Sequence, residues 1–248
     1  MSVGQPYLAN GILSHYFKNT AFAFVGTMYM GLFVGGVEVS AGSYARVAVT
    51  SSFGSAASGK ISNTAAITFA TAASDWGEIT HYGIFDAASS GNLLLLVPFK
   101  TTRTVKLGSA LRLDVGQAEI SVSTALPAGV SVTVANAILN HALGKTQLST
   151  PPAAVYVAFL TSPTTEVVGG SYGRTGLAYG TPSSGLIANT GTATRTATAA
   201  WGTITHIAIY DALTGGNQLF IMALPSPISV ANADSVSIAA GALVMGFI

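Results

Sequence analysis

One long repeat limits what this chain can fold into. Trp76-Gly77-Glu78-Ile79-Thr80-His81 returns as Trp201-Gly202-Thr203-Ile204-Thr205-His206, and Asp86-Ala87 with Gly91-Asn92 returns as Asp211-Ala212 with Gly216-Asn217, all at a spacing of 125. Ala9-Asn10-Gly11-Ile12-Leu13-Ser14-His15 answers Ala135-Asn136-Ala137-Ile138-Leu139-Asn140-His141 at 126, and Gly42-Ser43-Tyr44-Ala45-Arg46 answers Gly170-Ser171-Tyr172-Gly173-Arg174 at 128. So small a drift in register confines insertions to loops. The pattern predicts two copies of one domain of ordinary size, residues 1–123 and 135–248. Between them, residues 124–134 contain Pro127 and Gly129 and have no evident counterpart. They read as a short connector holding two self-packed halves close together.

Each copy opens on a helical pattern. Tyr7, Leu8, Ile12, Leu13 and Phe17 recur near helical spacing, as do Val134, Ile138, Leu139 and Leu143, and Gly144 stands where a helix stops. Strand material follows. Met28–Phe33 and Val155–Leu160 are apolar runs, and Tyr44–Thr50, Ala65–Phe69, Ile79–Phe85, Leu93–Phe99 and Leu111–Val115 come at short intervals between Gly/Ser/Asn/Thr clusters. The Asp86–Asn92 and Asp211–Asn217 segments join apolar runs as hairpin loops. The fold class expected is mainly β: two tandem antiparallel β-sandwich, jelly-roll-like domains, each preceded by a short helix.

Composition narrows the partners. Charged residues make up 8% of the chain, against about 25% in ordinary globular proteins, and half of the residues are hydrophobic. An isolated copy would carry little charge to keep it soluble, so partner chains, including further copies of this one, are expected to cover much of its surface. The net charge is +1 and the Lys and Arg residues do not cluster, which argues against nucleic acid. Without cysteine there is no disulfide, thiolate nucleophile or zinc ribbon. The uncharged stretch between Lys18 and Glu38 imitates a membrane span. Its counterpart, Gln147 to Glu166, holds Pro151-Pro152 and Pro163, which no membrane-crossing helix would accept, so no membrane partner is expected. Met1 to Gly11 lacks the basic start and apolar run of a signal peptide, so synthesis in the cytoplasm is expected.

Residues with chemistry recur at equivalent places. His81 precedes Asp86 by five positions and His206 precedes Asp211 likewise. On an extended strand, however, His81 faces with Gly83 and Phe85 while Asp86 faces with Tyr82 and Ile84, so no dyad forms. The expected roles are a hydrogen-bonded histidine and an aspartate opening a turn. Trp76 and Trp201 read as apolar anchors closing one end of each sandwich. Tyr44 with Arg46, and Tyr172 with Arg174, share a strand face, where the guanidinium is expected to pair with Glu38 or Glu166, or with another subunit. The glycines around Gly169–Gly176 lack the strand–helix setting and the closing Lys-Ser/Thr of a phosphate loop. With no convergent acid, base and nucleophile, and no paired metal-ligand spacing, neither enzymatic activity, a cofactor nor a metal is expected.

Taken in order, Gly42–Thr50, Ser62-Asn63-Thr64-Ala65-Ala66-Ile67-Thr68-Phe69, Trp76–Ala87 and Gly91-Asn92-Leu93-Leu94 resemble a small tailed-bacteriophage virion family labelled tail fibre-like. One family unit is similar to one copy here. The second copy departs from it at Gly173 and Thr175 and around Asn189. The resemblance implies a non-enzymatic virion structural protein. Such a protein would dock on major capsid or tail proteins, as a capsid decoration (cement) protein or a tail-associated component. The alternative is a receptor- or carbohydrate-binding tail tip, with Trp76, Tyr82, Trp201 and Tyr210 exposed as contacts.

Overall fold

The computed structural model describes residues 3–124 and 128–246. The first half runs β1 (Val3–Gly4), α1 (Pro6–Phe17), β2 (Tyr29–Val34), β3 (Val37–Glu38), β4 (Val47–Ala48), β5 (Lys60–Ser62), β6 (Ile67–Thr68), β7 (Gly77–Phe85), β8 (Leu93–Val105), β9 (Arg112–Leu113) and β10 (Glu119–Ser121). The second repeats it as β11 (Ala128–Val130), α2 (Val132–Ala142), β12 (Tyr156–Ser162), β13 (Thr165–Glu166), β14 (Thr175–Gly176), β15 (Leu186–Ala188), β16 (Ala193–Thr196), β17 (Gly202–Tyr210), β18 (Gln218–Val230), β19 (Ser235–Ile238) and β20 (Val244–Gly246). Each half is a β-sandwich that follows its own short helix. Its main antiparallel sheet has the order β1-β8-β7-β2-β3, with β4 also on β2, and is matched by β11-β18-β17-β12-β13 with β14 on β12. The pairs β5–β10 and β6–β9, answered by β15–β20 and β16–β19, complete each sandwich.

The central strands are apolar on both faces because both are covered: Met30, Leu32 and Phe33 of β2 are buried, as are Tyr82, Ile84 and Phe85 of β7. The uncharged stretch after Lys18 is therefore a loop followed by a buried strand, and no helix among the described residues is long and apolar enough to cross a membrane. Both sheets carry the same large bulge. Ile79 pairs with Arg103 but His81 with Pro98, so residues 99–102 loop out of β8; Ile204 pairs with Ile228 but His206 with Ala223, so residues 224–227 loop out of β18.

The helices differ in how they begin. Pro6 starts α1, where a missing N–H costs nothing, whereas the Ser131 hydroxyl accepts from the Val134 N–H and caps α2. The segment 124–134, expected to be a connector without counterpart, carries β11 and the first turn of α2. Its strand mirrors β1, each lying beside the long edge-proximal strand of its own sheet. A two- or three-residue strand is too short to leave a periodic pattern, which is why the repeat is not legible there.

The halves do not pack apart. A single cluster of buried side chains runs through both, with the two helices at the seam. Tyr16 and Phe17 of α1 meet Phe220, and Phe17 meets Tyr179 at a centroid distance of 4.7 Å. The Gly185 N–H of the second half donates to the Asn10 side-chain oxygen at 2.9 Å, and the Gly59 N–H of the first donates to that of Asn136 at 2.8 Å. Lys18 reaches the Tyr179 carbonyl, and Lys145 reaches those of Thr50 and Phe53. The asparagine and lysine contacts recur at repeat-equivalent places in both directions, which gives the seam a pseudo-two-fold character inside one chain, whereas these aromatic contacts come from α1 alone.

His15 and His141 sit in this seam, 1% and 2% exposed. His141 donates from Nε2 to the Ala23 carbonyl and accepts at Nδ1 from the Leu148 N–H, while neither ring nitrogen of His15 has a partner among the described residues. Burial, then the neighbouring His141, lowers the His15 pKa to about 4. Because the folded-state value lies below the unfolded one, the unfolded chain binds the extra proton. Stability is therefore full above about pH 6.5 and falls as the pH drops towards 4. Thermal unfolding should show a midpoint several degrees lower at pH 4.5 than at pH 7, and His15→Leu should remove part of that difference; an unchanged difference would clear His15 of the effect. A protease site placed between Thr124 and Ala128 should yield, after cleavage, two fragments that co-elute as one species in gel filtration.

Candidate functional site

The arginine pair named from the sequence is the most connected polar feature of each half. Arg46 donates from Nε and Nη2 to the two carboxylate oxygens of Glu38, both at 2.7 Å, a bidentate pair whose arginine side chain is 9% exposed. Its Nη1 donates to the carbonyls of Ala87 at 2.9 Å and Ser90 at 2.6 Å in the β7–β8 hairpin loop. The guanidinium lies 3.3 Å from the centroid of the Phe85 ring. The Tyr44 hydroxyl donates to Glu38 at 2.9 Å and accepts from the Leu32 N–H at 2.8 Å.

Arg174 repeats this. It bonds both oxygens of Glu166 at 2.8–2.9 Å, donates to the carbonyls of Ala212 and Gly215, and covers the Tyr210 ring at 3.5 Å. Tyr172 joins Glu166 to the Phe159 N–H. Burial alone would raise the Glu166 pKa, but hydrogen bonds from Arg174 and Tyr172 outweigh it and hold the carboxyl below its ordinary value. Burial also raises the Tyr44 and Tyr172 phenols, so both stay protonated donors.

The loop that each arginine grips is clasped from within. Asp86 accepts from the Asn92 N–H at 2.6 Å and from its side-chain amide at 2.7 Å, and Asp211 holds Asn217 at 2.6 and 2.8 Å. Gly91 and Gly216 adopt φ of 67° and 69°, and a Cβ on either would collide with that aspartate. Trp76 and Trp201 are each 5% exposed; their ring N–H groups donate to the carbonyls of Gly42 and Gly170, and each meets its tyrosine edge-on at 5.5 Å. His81 and His206 lie half-buried beside the hydroxyls of Thr80 and Thr205, at 2.9 and 2.7 Å, rather than beside an aspartate.

The structure therefore brings Glu38, Tyr44 and Arg46 together with the loop behind Asp86, and Glu166, Tyr172 and Arg174 with the loop behind Asp211, and leaves the histidines outside both groups. Burial of Trp76, Tyr82 and Trp201, at 5%, 2% and 5% exposure, agrees with the anchor role expected of the two tryptophans and counts against the alternative in which these rings face solvent as sugar contacts; Tyr210 lies under Arg174. Departures in the second copy leave the network intact. Buried Asn189 bonds the Gly191 and Ala239 carbonyls and the Leu243 N–H, as Asn63 bonds those of Ala65, Asp114 and Ala118. Sequence reasoning missed the Asp–Asn clasps, the seam asparagines and the buried pair Asn63 and Asn189. All recur in both copies, and the recurrence of a polar residue in an apolar setting was the available signal. Among the described residues no three His, Cys, Asp or Glu side chains are placed to hold a metal ion.

A family model described as Podophage GP4 fiber I protein gp80 matches the chain twice, over residues 5–121 and 129–246. The chain belongs to this family. Both matched stretches contain one complete arginine clamp, so the fibre I unit corresponds to one helix-plus-sandwich repeat, present here in tandem. No protein of curated function matches it.

Removing one partner of a buried ion pair leaves the other desolvated and unpaired. Arg46→Met or Glu166→Gln should therefore cost about 3 kcal/mol of unfolding free energy, read from denaturant titration. Arg46→Lys should recover little of that loss, since an ammonium cannot span Glu38 and two carbonyls at once.

Proposed function

We propose that this chain is a non-catalytic structural part of the phage particle, a fibre-type component that attaches to other virion proteins through the outer faces of its two sandwiches. The observation that carries this reading is where the repeated polar residues are spent. The three guanidinium nitrogens of each clamp arginine, both oxygens of its carboxylate and the tyrosine hydroxyl all bond within the half that holds them. Groups so fully engaged rigidify a loop and a strand; they present no acid, base or nucleophile to a substrate. Membership of a phage fibre family supports the same conclusion and favours attachment at the tail over decoration of the capsid. Duplication serves attachment too, because once one half is docked the other finds its partner at high effective concentration.

Cryo-electron microscopy of virions carrying a small tag after Ser89, at the tip of the β7–β8 loop, should show added density on the tail apparatus. Density over the capsid lattice would replace the fibre placement with a decoration role. Absence of the chain from purified particles would defeat the structural reading altogether.

A further inference from the structure

Most basic residues of this chain have a fixed partner. Arg46, Lys60, Lys106, Arg112 and Arg174 each meet a carboxylate, Lys18 and Lys145 are spent on carbonyls across the seam, and Arg195 on the Thr175 hydroxyl and the Arg174 carbonyl. Lys100 and Arg103 are what remains. Neither has a carboxylate partner among the described residues, and both line one groove of about 480 Å³ on the outside of the first half, a size that takes small ligands.

The groove exists because β8 leaves the ladder at residues 99–102, so that Phe99, Lys100 and Arg103 share its wall with Gln117 and Glu119. Tyr82 floors it. The Tyr82 hydroxyl donates to the Glu119 carbonyl at 3.0 Å, and the half-buried Phe99 ring packs on the Tyr82 ring at 5.1 Å. Arg103 is held by neutral groups: it donates to the Gln117 side-chain oxygen at 3.0 Å and to the Arg112 carbonyl at 3.3 Å, and its guanidinium lies 5.7 Å from the centre of the Phe99 ring. Its charge is thus positioned but not neutralised. Gln117 spends its oxygen on Arg103 and the Asp114 N–H, which leaves its amide group as a donor, while Lys60 meets the half-exposed Glu119 carboxylate only at 3.7 Å.

The second half keeps the backbone and drops the chemistry. Residues 224–227 loop out as 99–102 do, but Leu224, Pro225 and Ile228 stand where Phe99, Lys100 and Arg103 stand, and Ala242 and Val244 replace Gln117 and Glu119. The unit folds without these side chains, so their grouping points to a use outside the fold. We propose that the groove of the first half binds an acidic saccharide, whose carboxylate is taken by Lys100 and Arg103. Cations without a counter-charge select an anion. Glu119 in the same groove repels a polyanion but accepts from hydroxyls, and a sugar acid offers one carboxylate among several hydroxyls, which suits the cations, the Gln117 amide and Glu119 together. Phe99 adds a flat apolar surface for the C–H side of a pyranose. An added peptide strand fits less well. Beyond Leu95 and Leu96 the outer side of β8 pairs with no strand among the described residues, yet Pro98 without its N–H, the bulge and the exposed Lys100 are the features that keep a strand off an edge.

This site goes beyond attachment to the particle and is tested on the isolated full chain, wherever the chain is mounted. Isothermal titration calorimetry with trigalacturonate, glucuronate and N-acetylneuraminate should show at least one of them binding with a dissociation constant of about 1 mM or tighter. Its uncharged methyl ester should bind about 10-fold weaker or worse. Lys100→Gln with Arg103→Gln should abolish binding at an unchanged unfolding midpoint, Phe99→Leu should weaken it about 5-fold, and Ile228→Gln in the second half should leave it as it was. Acetate binding as tightly as the best sugar acid would reduce the site to an anion trap, and tetraglutamate binding more tightly would make the occupant an acidic peptide. Either result, no binding by any of the sugar acids, or a folded double variant that binds as the wild type does overturns the proposal.

Discussion

The structure turns on one guanidinium in each half. Arg46 joins the short edge strand that ends at Glu38, eight residues before it, to a segment some forty residues on: the ring of Phe85 at the end of β7 and the carbonyls of the loop at 87–90. Arginine alone among the side chains supplies a planar fork for the carboxylate, further N–H groups for carbonyls and a flat face for an aromatic ring. Without that charge the carboxylate would be buried unpaired and the loop carbonyls would lose their donor. The clamp in turn determines what the neighbouring residues must be: a tyrosine two positions earlier to complete the carboxylate's shell, and an Asp–Asn clasp with a left-handed glycine to hold the loop in reach.

A chain with so few charges uses these at positions where geometry, not solubility, is served. The seam follows the same economy with neutral groups. Asn10 and Asn136 each satisfy a glycine N–H of the opposite half, and aromatic rings of α1 fill the space beside Phe220 and Tyr179. These contacts are local to two short helices but bind segments from 77 to 175 or more residues apart, so the halves report on each other's folding. A duplicated unit that exchanges contacts in this way is an interface between copies made permanent by covalent linkage, with the association entropy removed.

Much of this was legible in the sequence, and what was not follows from scale. The repeat alone implies tandem units, the apolar run at Ile79–Phe85 implies a strand, and the shared face of Tyr44 and Arg46 points at Glu38. Two- and three-residue strands such as β1, β6 and β11 leave no period to read, and Tyr44–Thr50, which has strand composition, pairs only through Val47 and Ala48 because Tyr44 and Arg46 are pulled into the clamp. The continuous core was hidden for a different reason. Apolar helix faces show that something covers them, and they cannot show whether the cover is the same half or the other.

Comparison between the copies separates two demands that a single-copy protein would confound. Residues kept in both, Trp76 with Trp201, Arg46 with Arg174 and Asn63 with Asn189, have equivalent bonds in both, so folding the unit is sufficient to explain them. Residues that differ systematically are on the outside, where the backbone is the same and the fold imposes nothing. Lys60 against Leu186, Arg103 against Ile228 and Glu119 against Val244 change together and in one direction, from charged to uncharged, on adjoining strands. The loss extends beyond those strands: the exposed pair Asp75 and Lys106 gives way to Ala200 and Ala231, so the second half keeps little charge beyond what its fold uses.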